Sequence, residues 1–187
     1  MKRLFIGIKY SLSDNYIQLL QQLKYKTSYD TITWCTKELY HCTLQFIGQT
    51  SETIIPDIEE ILQNITQPKK SFILKINKLG VFGSSYHPTV IWLGINANEN
   101  LTALHDEIHS KLSNELHIEL PKENFVPHIT LGRIRKIDNK SKFWKTIEDH
   151  QLSYFHEFNV NEILLYRTKF ENNQPKYIPL KKFPLQK

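Results

Sequence analysis

The chain has 187 residues, 40% of them hydrophobic, and its 24 basic against 19 acidic side chains give a formal net charge of +5. This length and content predict a soluble protein with a sizeable core. The charge favours an anionic partner but is small for a dedicated nucleic-acid binder. No run of eighteen apolar residues and no secretory signal is found, and cysteines are scarce, so we expect a cytoplasmic protein without membrane spans.

Hydrophobic periodicity predicts four helices and seven strands. In chain order they are strand 3–9, helix 13–24 with Ser13 as its N-cap, strand 41–47, helix 51–65, strands 71–79 and 89–96, helix 100–116, strand 126–134, helix 140–151, and strands 156–167 and 176–182. The predicted class is α+β, with helices on the outer faces of two mostly antiparallel sheets around a central groove. No long linker divides the chain, which predicts one bilobal domain over residues 1–187.

The sequence His-x-Thr-Leu occurs twice, at His41–Leu44 and at His128–Leu131, each time in a predicted strand. Because side chains alternate along a strand, His41 and Thr43 share one face, and so do His128 and Thr130. Two imidazoles, each with a hydroxyl two residues on, suit a reaction that removes a proton from one oxygen and gives one to another.

The two motifs belong to a wider repeat. The offset between the histidines also relates Phe5–Ile8 to Trp92–Ile95, so that both halves begin with an apolar strand, continue into a helix and end in the motif strand. Such an internal duplication predicts two units packed about an approximate twofold axis. The histidine faces would then confront each other across the groove.

Four further side chains are candidates for substrate contacts. Strict alternation places Gln45 beside Thr43, where it either hydrogen-bonds a phosphate oxygen or satisfies a buried neighbour. It turns Arg133 away from the groove unless Gly132 breaks the pleat. The rings of Phe5 and Tyr86 either stack on a base or belong to the core.

Other motifs are absent or are rejected. His105 and His109 have the helical spacing of a zinc pair, but the order His-Asp-Glu-Ile-His is not the His-Glu-x-x-His of metalloproteases. No phosphate-binding loop or dinucleotide fingerprint is present. The sequence therefore indicates neither a metal nor a nucleotide cofactor.

The chain resembles the two-histidine (2H) phosphoesterases, and within them the bacterial and archaeal RNA 2′,3′-cyclic phosphodiesterases once named 2′-5′ RNA ligases. The resemblance spans nearly the whole sequence. It rests on the segments Arg3–Ile8, His41–Gly48, Leu79–Phe82, Ile91–Gly94, Phe125–Arg133, Tyr177–Leu180 and Phe183–Leu185. One departure is Thr89, where many relatives have an arginine.

The resemblance implies hydrolysis of a terminal 2′,3′-cyclic phosphate to a 2′-phosphate without metal. By analogy with relatives, His41 protonates the leaving oxygen and His128 activates water, although the near-symmetric sequence does not itself separate these roles. Thr43 and Thr130 would donate to the non-bridging oxygens. For in-line displacement, the reactive nitrogens should lie roughly 6 to 9 Å apart. The expected partner is an RNA end or a related nucleotide, with neither a membrane nor an obligate protein partner.

Two alternatives stay open at this point. A binding module could hold a nucleotide or an RNA end in the same groove without turnover. Within the enzyme class, relatives that cleave 2′-5′ oligoadenylates or small cyclic nucleotide phosphates offer other substrates.

Overall fold

The computed structural model describes residues 1–121, 124–151, 156–172 and 174–187. Within them the helices are α1 Asp14–Lys26, α2 Ile55–Thr66, α3 Glu99–Glu115 and α4 Lys140–Asp149, and 3₁₀ turns lie at Lys37–Leu39 and Glu52–Ile54. The strands are β1 Lys2–Lys9, β2 Thr31–Trp34, β3 His41–Thr50, β4 Phe72–Gly83, β5 Pro88–Asn96, β6 His128–Lys136, β7 His156–Val160, β8 Glu162–Glu171 and β9 Gln174–Pro184.

Each predicted helix and strand has a counterpart, and three details differ. The four-residue strand β2 was not predicted. The predicted strand 156–167 is two strands, β7 and β8, which are separated by Asn161 alone. A connection of one residue contains no turn sequence that would have predicted the break. Ser13 does precede α1, but its side chain makes no capping hydrogen bond.

The strands form one antiparallel sheet in the order β7-β4-β5-β6-β3-β1-β8-β9, with β2 paired to β6. The α+β class is therefore confirmed, but the two expected sheets are joined. The join is a single residue pair between β3 and β6, Cys42 with Ile129. Since β7 and β8 lie near opposite ends of this order yet are separated by one residue, the sheet curls until its ends meet at Asn161.

The register corrects the alignment of the two repeats. On β3, Thr43 pairs with Gly7 of β1, whereas the equivalent Thr130 on β6 pairs with Trp92 of β5. Gly7 is thus equivalent to Trp92, an offset of 85 rather than 87, and the match of Gly7 with Gly94 is wrong by two residues. The motif strands keep their offset, because Gln45 pairs with Ile6 and Gly132 with the equivalent Ile91.

A contiguous cluster of buried apolar side chains draws residues from both halves of the chain and from all four helices. Helix α3 contacts β3 of the other half as well as α2, and α1 contacts α4. This shared core supports the single-domain prediction. None of the described helices is long and apolar enough to cross a membrane.

The join between β3 and β6 predicts a large stability loss for Ile129→Ala. Ile129 is a member of the pair and is fully buried, so truncation should cost about 2–5 kcal/mol in the free energy of unfolding. Ile73→Ala is the matched control, because Ile73 also lies in a strand but is 48% exposed; it should cost under about 0.5 kcal/mol. Urea unfolding measures both, and equal losses would show that the join carries no special weight.

Candidate active site

The join between β3 and β6 brings the two motifs together. Cys42 and Ile129 are buried on the core face, so the alternating residues on either side of them project from the opposite face. Extending the antiparallel register by one residue in each direction sets His41 across from Thr130, and Thr43 across from His128.

This register makes the two histidines diagonal neighbours on one face of the sheet. Diagonal pairs across antiparallel strands lie about 7–8 Å apart. A separation of this size between the two backbone positions allows the Nε2 atoms to flank one phosphate, and the charge of His128 is near enough to lower the pKa of His41. The sheet therefore places both imidazoles within reach of one phosphate.

The protein fixes the same tautomer on both rings. The Nδ1 of His41 lies 2.6 Å from the carbonyl of Leu39, and the Nδ1 of His128 lies 2.7 Å from the carbonyl of Val126. A carbonyl only accepts, so each Nδ1 carries hydrogen and each Nε2 is left to gain or lose the reacting proton. The Thr43 hydroxyl is 3.0 Å from the Nε2 of His41 and donates to it while the ring is neutral.

Aromatic rings hold each imidazole in place. His41 meets Tyr177 edge-on at 4.9 Å between ring centres and Phe5 at the same separation. His128 meets Phe82 edge-on at 4.8 Å and Trp92 at 6.2 Å. These contacts limit ring rotation and reduce the exposure of both rings to water.

Burial makes both imidazoles harder to protonate. It lowers the pKa of His41 from its ordinary 6.5 to about 4, against the opposing effect of the hydrogen bond to Leu39. It also lowers the pKa of His128, and in both cases the nearby charge of Arg133 adds to the effect. In the free protein at neutral pH, both rings are therefore neutral and ready to accept a proton.

A bulge brings Arg133 to the face that carries the two histidines. On β6 the pairing with β5 skips Leu131, since Thr130 pairs with Trp92 and Gly132 with Ile91. One extra residue reverses the alternation that follows it. Arg133 was expected to face away from the groove unless the pleat breaks near Gly132, and the bulge is such a break. The charge of Arg133 lowers the pKa of both histidines.

A matching bulge on β3 turns Gln45 the other way. The pairing with β1 skips Leu44, the residue equivalent to Leu131. Gln45 is buried, its Oε1 is 3.0 Å from the His109 Nδ1 of α3, and its Nε2 donates to the Phe46 carbonyl. Strict alternation misplaced this side chain, which hydrogen-bonds the half-buried His109 and also lines the cavity described below, so its contact with substrate stays a prediction.

The two aromatic candidates lie in different surroundings. Phe5 is 1% exposed, with Tyr166 stacked on its ring, so it supports His41 and offers no free face to a base. Tyr86 is 80% exposed in the turn between β4 and β5. Tyr177 was not proposed as a site residue, although its segment belongs to the resemblance, because β9 reaches His41 only through the curl of the sheet.

A cavity of about 310 Å³ opens beside Thr43 and His128. Its remaining walls come from β3, from Phe82 and His105, and from the segment that precedes β6: Leu44, Gln45, Phe46, Phe82, His105, Pro121, Asn124, Phe125 and Val126. This volume suits a small organic ligand, with the catalytic face at one side.

The remaining side chains of interest have protein partners. The His105 ring stacks on Phe125 with 4.0 Å between ring centres, and His109 is bound to Gln45. Thr89 donates to the carbonyl of Phe82 at 3.1 Å, so it has an internal role where many relatives have an arginine. Among the residues that the model describes, no group of three or more side chains is arranged to bind a metal ion.

The sequence also matches a known family. The model of the 2′-5′ RNA ligase superfamily matches residues 18–170, which include both motifs. The chain belongs to this superfamily. Members similar to it include two proteins named RNA 2′,3′-cyclic phosphodiesterase, one from Methanocaldococcus jannaschii (33% identical, covering 97% of this chain and 99% of the relative) and one from Aquifex aeolicus (30%, covering 98% and 97%).

Two solved structures share the fold. TT0787 of Thermus thermophilus superposes with a TM-score of 0.78 at 21% identity, covering 98% of both chains. Escherichia coli LigT complexed with 3′-AMP superposes with a TM-score of 0.74 at 22% identity, covering 100% of this chain and 99% of that one. The likeness confirms the fold of this 2′-5′ RNA ligase superfamily member.

Burial of the two imidazoles predicts low titration midpoints in the free protein. His41 should titrate near pH 4, and His128 below its ordinary 6.5. NMR of the imidazole ring protons measures both, with His41→Asn and His128→Asn assigning the signals. Inorganic phosphate should raise both midpoints, because an anion favours the imidazolium. Midpoints at or above 6.5 in the free protein would contradict this description.

Proposed function

We propose that this protein is an RNA 2′,3′-cyclic phosphodiesterase that opens a terminal cyclic phosphate to a 2′-phosphomonoester. The observation that carries the proposal is the pair of equally oriented imidazoles, His41 and His128, diagonal across one strand pair, with neither Nε2 bonded to a carbonyl of the described residues. The names of the relatives, which cover almost the whole chain, agree with it.

The reaction uses one imidazole on each side of phosphorus. His128 Nε2 takes a proton from water as the water oxygen bonds to phosphorus. The bond from phosphorus to the ribose 3′ oxygen breaks, and His41 Nε2 gives that oxygen its proton. The assignment of acid and base follows the analogy with relatives. Proton exchange with solvent then restores both rings.

The threonines stabilise the charge that builds up on the phosphoryl group. Thr43 and Thr130 lie on the face of the histidines, where their hydroxyls can donate to the non-bridging oxygens. Thr43 donates to His41 in the free protein, so its hydroxyl hydrogen becomes available to a phosphate oxygen once Nε2 is protonated. Arg133 adds a fixed positive charge on the same face.

Binding of the anionic substrate lets His41 acquire its proton from solvent. A phosphate charge about 4 Å from an imidazolium contributes about 4 kcal/mol at an effective dielectric constant near 20. Since a pKa change of one corresponds to about 1.4 kcal/mol, this attraction raises a pKa of about 4 to the neutral range. His41 is thus neutral while the site is empty and is protonated once the anion is bound.

Two other functions use the same groove. A nucleotide-binding module would bind adenosine 2′,3′-cyclic phosphate and leave it intact. A 2H enzyme specific for 2′-5′ oligoadenylates would cleave those diesters faster than cyclic ends. Side-by-side turnover of these substrates separates the three.

We also propose that the enzyme acts in the cytoplasm, in line with its free Cys35 and Cys42.

Removing either imidazole should abolish most of the activity. His41→Ala and His128→Ala should each lower kcat on adenosine 2′,3′-cyclic phosphate by about 10²–10⁴-fold, the usual contribution of general acid–base catalysis. His87→Ala is the control, because His87 is exposed and lies outside the cavity. Chromatographic separation of adenosine 2′-phosphate from the cyclic substrate measures the rates, and circular dichroism checks the fold. Near-normal turnover in either catalytic variant would overturn the mechanism.

The pH dependence follows from the lowered pKa values. The base, His128, must be neutral, so kcat/KM falls as the pH drops below the pKa of this imidazole. The acid, His41, must be protonated, so kcat/KM also falls as the pH rises above the pKa of that imidazole. Both pKa values lie below 6.5 in the free protein, so the bell-shaped kcat/KM profile should peak below pH 6.5. The kcat profile should peak at higher pH, because bound phosphate raises both values. Coincident profiles that peak above pH 7 would refute this account.

A further inference from the structure

Four exposed side chains form a surface that the catalytic site does not use. We call it the aromatic–lysine rim: Tyr29, Tyr86, Lys140 and Lys142. The Lys142 Nζ lies 4.2 Å from the centre of the Tyr29 ring, and the Lys140 Nζ lies 5.6 Å from the Tyr86 ring. Tyr29 is 68% exposed and Tyr86 is 80% exposed, so core packing does not account for either ring.

Hydrogen bonds hold the three segments of the rim in a fixed arrangement. The Trp144 indole of α4 donates to the Ser85 carbonyl, 3.1 Å away, and so ties α4 to the turn that carries Tyr86. The Asp138 amide donates to the Asp30 carboxylate at 2.9 Å, which ties the start of α4 to the loop that carries Tyr29. The rim is therefore preorganised, and a ligand would not have to order it.

The charge of this region is positive and largely uncompensated. Lys140 and Lys142 form no ion pair within the described part of the chain, and the same holds for Arg133 and Arg135 on β6. The nearby Asp138 carboxylate is already paired with Lys136. The surface therefore favours a ligand with several negative charges.

Strand β6 connects the rim to the catalytic face. It begins at His128, carries Arg133 and Arg135, and ends at Lys136, whose pairing partner Thr31 follows the Tyr29 loop. Eight residue steps of about 3.3 Å give a path of about 26 Å. A stacked nucleic-acid strand rises about 3.4 Å per nucleotide, so a strand of about eight nucleotides spans it.

We propose that the aromatic–lysine rim binds the single-stranded RNA that precedes the cyclic phosphate. Exposed rings for stacking, interleaved with lysines for phosphates, are how proteins hold single strands without sequence preference. An acidic protein segment would use the lysines alone and leave both tyrosine rings without a role, so RNA is the occupant that the surface fits. This inference rests on the proposed function, and it adds that long RNA is preferred to mononucleotides.

The test compares two substrates in the full-length protein: an RNA of about ten nucleotides with a 2′,3′-cyclic end, and adenosine 2′,3′-cyclic phosphate. Tyr29→Ala should lower kcat/KM on the long RNA by at least about fivefold, the lower limit for loss of one stacked base. The double variant Lys140→Gln/Lys142→Gln should also lower kcat/KM on the long RNA by at least about fivefold. It should reduce the slope of log affinity against log salt by about 1.4, because two phosphate contacts are lost. Both should leave turnover of the mononucleotide unchanged.

Phe170→Ala and Lys169→Gln are the matched controls. Phe170 is 61% exposed, and both residues lie on β8 near Thr168, which pairs with Arg3. Because β3 and β6 run in opposite directions from their join, this end of the sheet lies opposite the rim. The controls should change neither substrate's kcat/KM.

The outcomes distinguish this inference from the proposed function. Equal kcat/KM for the long RNA in wild type and rim variants would overturn the proposal that the rim binds RNA. An equal loss in the control variants would overturn it as well. Binding of an acidic peptide at the rim with unaltered RNA kinetics would also overturn it. If the wild type opened no cyclic phosphate, the proposed function would fail. Fluorescence anisotropy with the same RNA would still test the rim, with weaker binding expected in its variants.

Discussion

The pairing of Cys42 with Ile129 is the constraint on which the site depends. It joins the two groups of strands at the centre of the sheet, while a bridge between Lys70 and Gln186 links them at the far ends of the strand order, and it sets the separation of the two proposed catalytic imidazoles. Two residues after the paired position, each motif has a leucine, Leu44 or Leu131, and this leucine is the extra residue of a β-bulge. The bulges interrupt the pleat at equivalent points of the two strands. Each motif therefore directs its histidine and threonine to one face, and the alternation of the side chains that follow is reversed. Duplication of one short strand segment thus gives a symmetric pair of proton carriers.

The environment of the two histidines is less symmetric than their backbone. His41 is packed among Phe5, Tyr166 and Tyr177, and burial lowers its pKa to about 4. His128 lies at the cavity, next to Phe82, and is less deeply enclosed. Water reaches His128 more readily, which agrees with the role of base proposed for it. The enclosed His41 suits an acid that acquires its proton only when an anion is bound.

Much of this could be predicted from the sequence, because the relevant signals are local. Apolar runs bounded by polar residues identified β1, β3 and β6, and the two motifs identified the histidines without reference to any contact. What failed was non-local. The bulge at Leu44 turned Gln45 toward His109, and no residue type in that stretch announces a bulge. The curl of the sheet brought Tyr177 to His41 from a strand at the far end of the strand order.

A crystal structure with a nucleoside 2′,3′-vanadate bound tests the central claim most directly, because five-coordinate vanadium imitates the transition state of phosphoryl transfer. The account predicts that the Nε2 atoms of His41 and His128 lie within about 3 Å of opposite apical oxygens. The threonine hydroxyls should contact equatorial oxygens. A complex in which both imidazoles approach the same side of vanadium, or in which one makes no contact, would contradict it.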